Sequence, residues 1–387
     1  MITLGIENLI ESPKPLKGKR VGLIANATSI NCELTSSVDL LRKNPGINLS
    51  ALFGPQQGFW GETQDNMIEW QGGRYPRYDL PLYSLYGEHR KPTAKMLENV
   101  DSLIFDVQDV GTRIYTYIWT MVLAMQASAE QKKEFIVCDR PNPIDGLQTE
   151  GNVSRREDSS FVALYPLPLR HGMTTGEIAN YVNREFQIGC ELTVVQMKGW
   201  KRQMWHDETG IPWVIPSANM PTLETATVYP GTVIFEGTNV SEGRGTTKPF
   251  EFIGAPFVNG FDLADALSKY RLPGVSFRPC IFIPTFNKHQ GKNCGGVQLH
   301  VTDRKQFKPV KTGIALLKTI YDMYPNDFRW KKPPYEYVSD KLPIDVILGC
   351  DWIRKALEEK QTLEKIIGKT EEELKDFSAV RKKYLLY

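Results

Sequence analysis

The chain has 387 residues, of which 41% are apolar and 24% charged, values typical of a globular protein long enough for two domains. Its 47 basic and 45 acidic residues leave a formal charge of +2, which gives no reason to expect a nucleic acid or a membrane surface as partner. No apolar run is long enough to span a bilayer.

The first half of the chain alternates apolar runs with segments of helical spacing. The apolar runs predict strands at 21–25, 49–54, 102–107, 135–139 and 192–195. The helical patterns cover 35–43, 94–99, 118–132 and 175–185. Such alternation indicates a parallel sheet covered by helices. We therefore predict an α/β fold with a Rossmann-like domain over residues 1–255.

Periodicity is lost between residues 219 and 257, in a stretch rich in Gly, Pro, Thr and Asn. A loop of that length in a compact domain is usually functional, so we assign a long functional loop to 216–255. Beyond it the patterns predict helices at 262–270, 310–324, 351–360 and 371–384, and strands at 275–284 and 296–301. These elements indicate a smaller α+β domain over 256–387.

Polar side chains follow four of the predicted strands. In chain order they are Asn26 and Thr28; Gln56, Gln57 and Glu62; Asp106, Gln108, Asp109 and Arg113; and Asp139, Arg140 and Asn142. Because ligands of open parallel sheets bind beyond the carboxyl ends of the strands, we expect these side chains to meet in a cleft. The structural alternative for each is a turn or a helix cap.

Several kinds of site are disfavoured. The first strand is not followed by the glycine fingerprint of dinucleotide-binding proteins, and no phosphate-binding loop occurs. The five histidines are far apart, and no G-x-S-x-G elbow is present. We therefore expect neither a cofactor nor a metal ion.

The segment from Tyr229 to Glu251 combines three carboxylates, Asn239, Arg244 and several glycines. Carboxylates and amides bind hydroxyl groups, and aromatic rings pack on the apolar face of a sugar, so the segment suits a saccharide. The alternative is a structural ion pair between Glu242 and Arg244. His171 has two interpretations, as a side chain that orients the helix starting near 174 or as part of the cleft.

Long motifs in chain order identify a family. They lie at 84–93, 105–121, 139–146, 168–177, 199–205, 216–256 and 282–304, and include FDVQDVGTRIYTYIWTM and PSANMPTLETATVYPGTVIFEGTNVSEGRGTTKPFEFIGAP. The chain thereby resembles the YbbC/NamZ-like family, formerly a domain of unknown function, which includes exo-β-N-acetylmuramidases. The resemblance implies a Rossmann-like domain, a smaller C-terminal domain and a cleft between them. It also implies removal of N-acetylmuramic acid from the non-reducing end of cell-wall fragments.

The chain departs from the family in one loop, where many relatives read Pro-Glu-His-Gly and this chain reads Pro55-Gln56-Gln57-Gly58. An amide does not exchange a proton near neutral pH, so Gln56 cannot replace an acid/base glutamate. Three alternatives follow: Glu62 takes over, the catalytic carboxylates lie elsewhere with Glu236 and Glu242 leading, or the protein binds amino-sugar glycans without cleaving them.

The hypothesis of a glycosidase that acts on an amino sugar assigns candidate roles. Glu236 or Glu62 is the candidate acid/base, with Asp106 and Glu242 as partners, because glycoside hydrolysis generally uses two carboxyl groups. Arg113, Arg140 and Arg244 are candidates for binding the lactyl carboxylate of muramic acid. The other candidate substrate-binding residues are Phe59, Trp60, Tyr115 and Tyr117 against the sugar ring, Asn239 and Gln108 on its polar groups, and Gln56, Gln57, Asn142, His171 and Asn219.

Two further expectations concern class and compartment. A nucleotide-dependent oxidoreductase would also fit a Rossmann-like layout, but the missing glycine fingerprint counts against it. The first 20 residues lack the pattern of a signal peptide, so we expect a cytoplasmic protein, or a periplasmic or secreted one if a leader was removed.

Overall fold

The computed structural model describes residues 2–65 and 67–387 and is built on a seven-stranded sheet. The strands in the first half of the chain are β1 (Arg20–Ile24), β2 (Asn48–Gly54), β3 (Gly73–Tyr75), β4 (Leu80–Ser84), β5 (Ser102–Phe105), β6 (Glu134–Cys138), β7 (Glu150–Val153), β8 (Pro168–Arg170) and β9 (Glu191–Val195). The sheet order is β3-β4-β2-β1-β5-β6-β9, and β3 alone runs antiparallel to its neighbour. β7 and β8 form a separate antiparallel pair.

Four helices accompany this sheet: α1 (Gly5–Glu11), α2 (Ser37–Lys43), α3 (Tyr117–Glu130) and α4 (Thr175–Glu185). The central strand β5 is buried at every position, and β1 at all but its first. Continuous burial is what strands of a parallel sheet covered on both faces require. The predicted α/β class with a Rossmann-like sheet is confirmed.

The second half of the chain holds a smaller sheet and six helices. Its strands β10 (Phe252–Ala255), β11 (Val275–Phe282) and β12 (Cys294–Val301) are antiparallel in the order β10-β12-β11. The helices are α5 (Leu223–Thr232), α6 (Gly260–Ser268), α7 (Pro309–Met323), α8 (Pro343–Leu348), α9 (Trp352–Glu358) and α10 (Leu363–Arg381).

Three predicted elements differ from the structure. Residues 94–99 form turns instead of a helix. The region 219–257, predicted to lack secondary structure, contains α5 and a 3-10 turn at Val233–Gly237. Residues 225–232 of α5 are buried on all sides, so no polar face produces a helical period. Helix α10 begins before the predicted residue 371, because Thr362 caps it by accepting from the Lys365 amide.

The 3-10 turn after α5 is held by close helix contacts. A Cβ on Gly231 would collide with the Pro309 carbonyl oxygen, and a Cβ on Gly313 with the Gly231 carbonyl oxygen. A Cβ on Gly237 would come 2.7 Å from the Cα of Ile344 in α8. Because these glycines let backbones touch, the turn at Val233–Gly237 is fixed between α7 and α8.

Polar side chains at the carboxyl ends of β5 and β6 bond to each other and to the start of α4. Arg140 donates through Nε to Asp106 Oδ1 at 2.6 Å and through Nη2 to Oδ2 at 2.8 Å, and both side chains are almost fully buried. Asp139 accepts from the hydroxyl of Thr174 and the amide of Gly176, both at 2.8 Å. These contacts tie the sheet edge to the start of α4.

None of the helices in residues 2–65 and 67–387 has the length and apolar character needed to cross a membrane.

Replacement of Arg140 by Met should lower the free energy of unfolding by about 3–5 kcal/mol, because it leaves the Asp106 carboxylate buried without its cation. Urea denaturation at neutral pH measures the loss. The matched control is Arg20→Met, which breaks a pair with Asp101 whose side chains are 42% and 37% exposed and should cost much less, because exposed ion pairs contribute little to stability. Equal, small losses in both variants would contradict a structural role for the buried pair.

Candidate active site

A pocket lies just beyond the carboxyl end of β2, and we call it the central pocket. It contains about 450 Å³ of empty space, open solvent at its mouth included. The described residues that line it are Gln56, Gln57, Ile114, Tyr115, Thr116, Tyr117, Val162, Ser217, Asn219, Met220, Tyr229, Glu236, Arg244, Phe250, Tyr335 and Glu336. The pocket therefore takes residues from the Rossmann-like sheet and from the second half of the chain.

Glu236 projects from the 3-10 turn that follows α5 and is 4% exposed. Its Oε1 accepts from Arg244 Nη2 at 2.6 Å, and its Oε2 accepts from the Tyr335 hydroxyl at 2.6 Å. Burial favours the neutral acid, but the Arg244 charge and these hydrogen bonds outweigh it and hold the pKa of Glu236 below its ordinary value. Glu236 is thus the ionised carboxylate of the pocket.

Arg244 connects Glu236 to a second carboxylate. Its Nε lies 3.3 Å from Glu242 Oε1, and Lys288 Nζ donates to Glu242 Oε2 at 2.7 Å. Burial opposes the charge of Arg244, but Glu236 and Glu242 together raise the pKa of its guanidinium. Burial lowers the pKa of Lys288, and Glu242 offsets part of that effect. Charges of both signs therefore alternate along this wall.

Glu336 is the other carboxyl group that lines the central pocket, and it is 4% exposed. Its Oε1 lies 3.1 Å from Gln56 Nε2 and its Oε2 lies 2.9 Å from the Tyr86 hydroxyl. Burial raises the pKa of Glu336, and the hydrogen bonds from Tyr86 and Gln56 offset only part of the shift. The charge of Arg90 also lowers this pKa and that of Glu236 raises it, but burial is the largest effect, so the neutral acid is favoured.

The backbone around Glu336 is in an unfavourable conformation. Glu336 and Tyr337 have φ values of 45° and 65°, and the flanking Tyr335 and Val338 exchange both backbone hydrogen bonds. This is the pattern of a type I′ turn, in which Asn-Gly is preferred. Each non-glycine residue in the left-handed region costs about 1–2 kcal/mol. Strain of this kind clusters at functional sites, and here it places a carboxyl group in the pocket.

Gln56 holds Glu336 in a defined orientation. Gln56 Oε1 accepts from the Thr116 hydroxyl at 2.5 Å, so the amide nitrogen must be the atom that faces Glu336. When Glu336 is neutral, its Oε1 accepts from Gln56 and its proton is on Oε2, so the Tyr86 hydroxyl oxygen then accepts from Oε2 instead of donating to it. Gln56 is therefore a positioning residue.

Aromatic rings form the walls between the two glutamates and the sheet. Tyr229 packs edge to face on Tyr115 and Phe250, with ring centroids 5.9 and 4.7 Å apart. Tyr115 also packs on Tyr117, whose hydroxyl donates to the Pro216 carbonyl oxygen. Two glutamates whose pKa values shift in opposite directions, in an aromatic pocket, form the arrangement that acid/base chemistry requires.

A second pocket, which we call the side pocket, opens on the same charged residues. It has about 400 Å³ of empty space and shares Glu236, Arg244 and Tyr335 with the central pocket. Its other described lining residues are Asp65, Met67, Glu242, Asn287, Lys288 and Lys331. Lys331 is exposed, so the side pocket presents a solvent-accessible cation next to the central pocket.

The structure brings together seven of the residues predicted from the sequence. Gln56, Gln57, Tyr115, Tyr117, Asn219, Glu236 and Arg244 line the central pocket. Glu242 lies one ion pair away, in the side pocket. The structure thus contains the predicted ion pair between Glu242 and Arg244, and it also places Glu242 beside the central pocket. The catalytic and binding roles assigned to these residues stay predictions.

The predicted catalytic residues Asp106 and Glu62 are not among the described residues that line either pocket. Asp106 is committed to the buried pair with Arg140. Glu62 is exposed and accepts from the Trp60 amide at 3.2 Å, which closes its own loop. Trp60 is 54% exposed and stacks on Tyr75, and Phe59 packs on the same tyrosine.

The remaining predicted residues donate mainly to the backbone, although Arg113 Nε and Gln108 Oε1 are buried without a hydrogen-bond partner among the described residues. The guanidinium of Arg113 donates to four carbonyl oxygens, including that of Leu167 at 2.6 Å. The other side chains that donate to carbonyl oxygens are those of Arg140, Gln108, Asn142 and Asn239. His171 accepts from the Met173 amide and contacts Asp109 at 3.1 Å, which favours the orienting interpretation.

Sequence reasoning missed Glu336 and Tyr335. The segment around them reads Pro333-Pro334-Tyr335-Glu336-Tyr337, a carboxylate between aromatic rings in a stretch without periodicity. A similar composition was the reason for predicting a functional loop at residues 55–62. The same criterion, applied to residues 333–337, would have selected Glu336. Tyr229 and Phe250 were also missed as lining residues, although they stand at or next to the ends of the segment from Tyr229 to Glu251 that the sequence singled out.

Comparisons with known proteins cover the chain from near its start to its end. Residues 21–224 match the N-terminal model of the exo-β-N-acetylmuramidase NamZ family, and residues 227–387 match the C-terminal model. The models meet at the start of the second half described above, whereas the sequence predicts a boundary at 255, which stays a prediction. The chain is 52% identical over 389 residues to the peptidoglycan β-N-acetylmuramidase NamZ of Bacillus subtilis (strain 168), with 100% of this chain and 91% of the relative covered.

Two solved structures are similar over the full chain, and both are DUF1343 family proteins of Bacteroides fragilis NCTC 9343. The first has a TM-score of 0.90 and 38% sequence identity, and the second a TM-score of 0.76 and 29% identity. Both matches cover 100% of this chain and 99% of the other. The fold is therefore shared with crystal structures of that family.

The Glu336→Gln variant should become more stable than the wild-type protein as the pH rises. The folded-state pKa of Glu336 is raised, so the stability that its neutral form contributes is complete below the unfolded pKa and is lost as the pH rises through the folded pKa. Glutamine does not ionise, so the gap in unfolding free energy should be small near pH 4 and widen toward pH 8. Glu33→Gln, at an exposed side chain, is the control and should show a pH-independent gap. A constant gap for Glu336→Gln would contradict the assigned environment.

Proposed function

Because the chain belongs to the exo-β-N-acetylmuramidase NamZ family, we propose that it is a glycoside hydrolase that releases N-acetylmuramic acid from the non-reducing end of peptidoglycan fragments. The observation that carries the proposal is the pair of buried glutamates in the central pocket, one held ionised by Arg244 and the other favoured as the neutral acid. Glycoside hydrolysis generally uses one carboxyl group in each state.

In the proposed reaction, neutral Glu336 donates its proton to the glycosidic oxygen as the bond to the sugar breaks. The positive charge that develops on the sugar ring faces the carboxylate of Glu236. Water supplies the hydroxyl group of the released sugar, and its second proton restores neutral Glu336. Arg244 and Tyr335 keep Glu236 ionised through hydrogen bonds at 2.6 Å.

The Gln56-Gln57 sequence is compatible with this proposal. The two carboxyl groups of the central pocket come from other segments of the chain, and Gln56 supports one of them by donating to Glu336 Oε1. An amide suits that task because its donor and acceptor ends are both used. Non-catalytic glycan binding, the alternative that the glutamines suggested, has no further feature in its favour.

The lactyl carboxylate of muramic acid needs a cation beside the central pocket. Of the three arginines predicted for this role, Arg244 lines that pocket, whereas Arg113 and Arg140 are buried and donate to backbone carbonyl oxygens or to Asp106. The neighbouring side pocket adds Lys288 and Lys331. We assign the sugar ring to the central pocket. We assign its lactyl group to Arg244, which lines both pockets, and to Lys288 and Lys331 of the side pocket.

Replacement of Glu336 by Gln should reduce kcat on a muramic-acid-containing disaccharide by about 10²–10⁴-fold, because the leaving alcohol then departs without general acid catalysis. On a 4-nitrophenyl β-N-acetylmuramide, whose leaving group departs without protonation, the loss should be much smaller. The alkaline limb of the wild-type pH profile, where Glu336 loses its proton, should disappear in the variant. Steady-state kinetics with both substrates from pH 4 to 9 measures these effects.

Glu62→Gln tests the competing acid in the same assay. Glu62 lies in an exposed loop, so we expect the kcat of the Glu62→Gln variant to stay within about twofold of the wild-type kcat on both substrates. A large loss in Glu62→Gln with little loss in Glu336→Gln would transfer the acid role to Glu62. Failure of the wild-type protein to release any N-acetylmuramic acid would refute the hydrolase and leave glycan binding.

Lys331→Ala should raise the inhibition constant of N-acetylmuramic acid about three- to fivefold, the loss expected for one exposed ionic contact. The inhibition constant of N-acetylglucosamine, which lacks the lactyl carboxylate, should not change. Lys332→Ala is the matched control, since Lys332 is also exposed but is not among the described lining residues. Equal effects of the two variants, or of the two sugars, would contradict the assigned lactyl site.

A further inference from the structure

A third depression adjoins the central pocket and has a different chemistry. It has about 1210 Å³ of empty space with open solvent included, and Asn219 lines both it and the central pocket. Phe252, Phe282, Ile283 and Phe286 supply its apolar part. We call this depression the aromatic surface.

Two chain segments connect the aromatic surface to the central pocket. Ser217 and Asn219 line the central pocket, while Ala218 and Asn219 line the aromatic surface. In the second segment Arg244 lines the central pocket, and the next residues, Gly245 and Thr246, line the aromatic surface. A ligand that extends out of the central pocket past Asn219 and Arg244 therefore passes directly onto the aromatic surface.

The floor of the aromatic surface is rigid. The Gly245 carbonyl oxygen accepts from both the amide and the hydroxyl of Thr285, each at 2.9 Å. Gly245 has a φ of 78°, and a Cβ there would lie 2.7 Å from the Phe286 amide nitrogen. The absent side chain lets the two segments touch, so the surface is formed before a ligand arrives.

The described residues that line the aromatic surface carry no charge, whereas those of the central pocket include Glu236, Glu336 and Arg244. The rings of Phe252 and Phe282 are stacked with centroids 5.5 Å apart and an interplanar angle of 11°. Around them stand the amide of Asn219 and the hydroxyls of Thr246 and Thr285. Flat apolar rings bordered by neutral polar groups match the face and edge of a neutral sugar.

We propose that the aromatic surface binds the leaving-group saccharide, the neutral amino sugar next to the terminal muramic acid and the chain that continues from it. The inference rests on the proposed function, because it assigns the muramic acid to the central pocket. It predicts that the protein prefers saccharides of two or more sugars to glycosides with a small leaving group, through contacts that the terminal sugar does not make.

The test compares two substrates with leaving alcohols of similar acidity but different size. Methyl β-N-acetylmuramide fills the central pocket alone, whereas N-acetylmuramyl-N-acetylglucosamine also reaches the aromatic surface. In Phe252→Ala we expect KM for the disaccharide to rise about 5- to 10-fold, the loss of one ring contact. KM for the methyl glycoside should change less than twofold. Phe252→Leu, which keeps apolar volume without the ring, should fall between wild type and Phe252→Ala.

Two exposed isoleucines near the end of β11 can be replaced without loss of buried core packing. Ile283 is the test position and Ile281 is the matched control. Ile283 lines the aromatic surface and is 53% exposed, whereas Ile281 is 75% exposed and is not among its described lining residues. Ile283→Ala should raise KM for the disaccharide about twofold or more, and Ile281→Ala should leave both substrates unchanged.

Each other outcome overturns the inference. Equal losses on both substrates would mean that the aromatic surface acts on the muramic acid itself, and no loss on either in Phe252→Ala and Ile283→Ala would mean that the leaving group binds elsewhere. A wild-type protein that cleaves the methyl glycoside retains the proposed function whichever of these occurs. A wild-type protein that cleaves neither substrate refutes the proposed function, and the inference fails with it.

Discussion

The contact on which the candidate site depends is the hydrogen bond from Arg244 to Glu236. Without a cation, a glutamate buried to this extent would take up a proton, as burial favours for Glu336. Arg244 is itself kept charged by Glu236 and Glu242, and Lys288 balances Glu242. The ionised state of one carboxyl group thus depends on a chain of alternating charges, whereas the neutral state of the other depends on burial beside the uncharged hydrogen-bond partners Gln56 and Tyr86. The ionised state of Glu236 favours the neutral state of Glu336, because two carboxylates in one small pocket would repel each other.

The architecture supplies this contrast by bringing distant segments to one place. Glu236 lies on a turn fixed between α7 and α8, and Glu336 lies on a strained turn between those two helices in sequence. Gln56 and the tyrosines Tyr115 and Tyr117 come from the Rossmann-like half. The strand-end residues Asp106 and Arg140, which look like site residues in the sequence, instead form the buried pair beneath. Stability and function are therefore divided between neighbouring layers of polar side chains.

The sequence predicted the central sheet well because strands buried on both faces appear as continuous apolar runs, as in β1 and β5. It failed at α5, where burial on every side removes the polar face that makes a helix visible. Glu236 and Arg244 were found because a glycine-rich carboxylate and arginine segment is unusual. Glu336 was missed because a type I′ turn made of Glu-Tyr carries no turn signal. Asp106 was selected as a site residue because a polar residue after a strand can either bind a ligand or belong to a structural network. The buried pair with Arg140, which the sequence does not reveal, shows that Asp106 belongs to the structural network.

Infrared difference spectroscopy of the carboxyl groups tests the central claim most directly. A protonated carboxylic acid has a carbonyl stretching band that a carboxylate lacks. Wild-type protein should keep such a band at pH values at which exposed glutamates, with pKa values near about 4.3, are ionised. Burial also raises the pKa of Asp139, Glu150, Glu177, Asp345 and Glu373, so the band is compared between wild type and variant. Glu336→Gln should remove one component of the band, and Glu62→Gln should remove none. A Glu336→Gln spectrum identical to that of the wild-type protein in this region would contradict the assignment of Glu336 as the neutral acid beside an ionised Glu236.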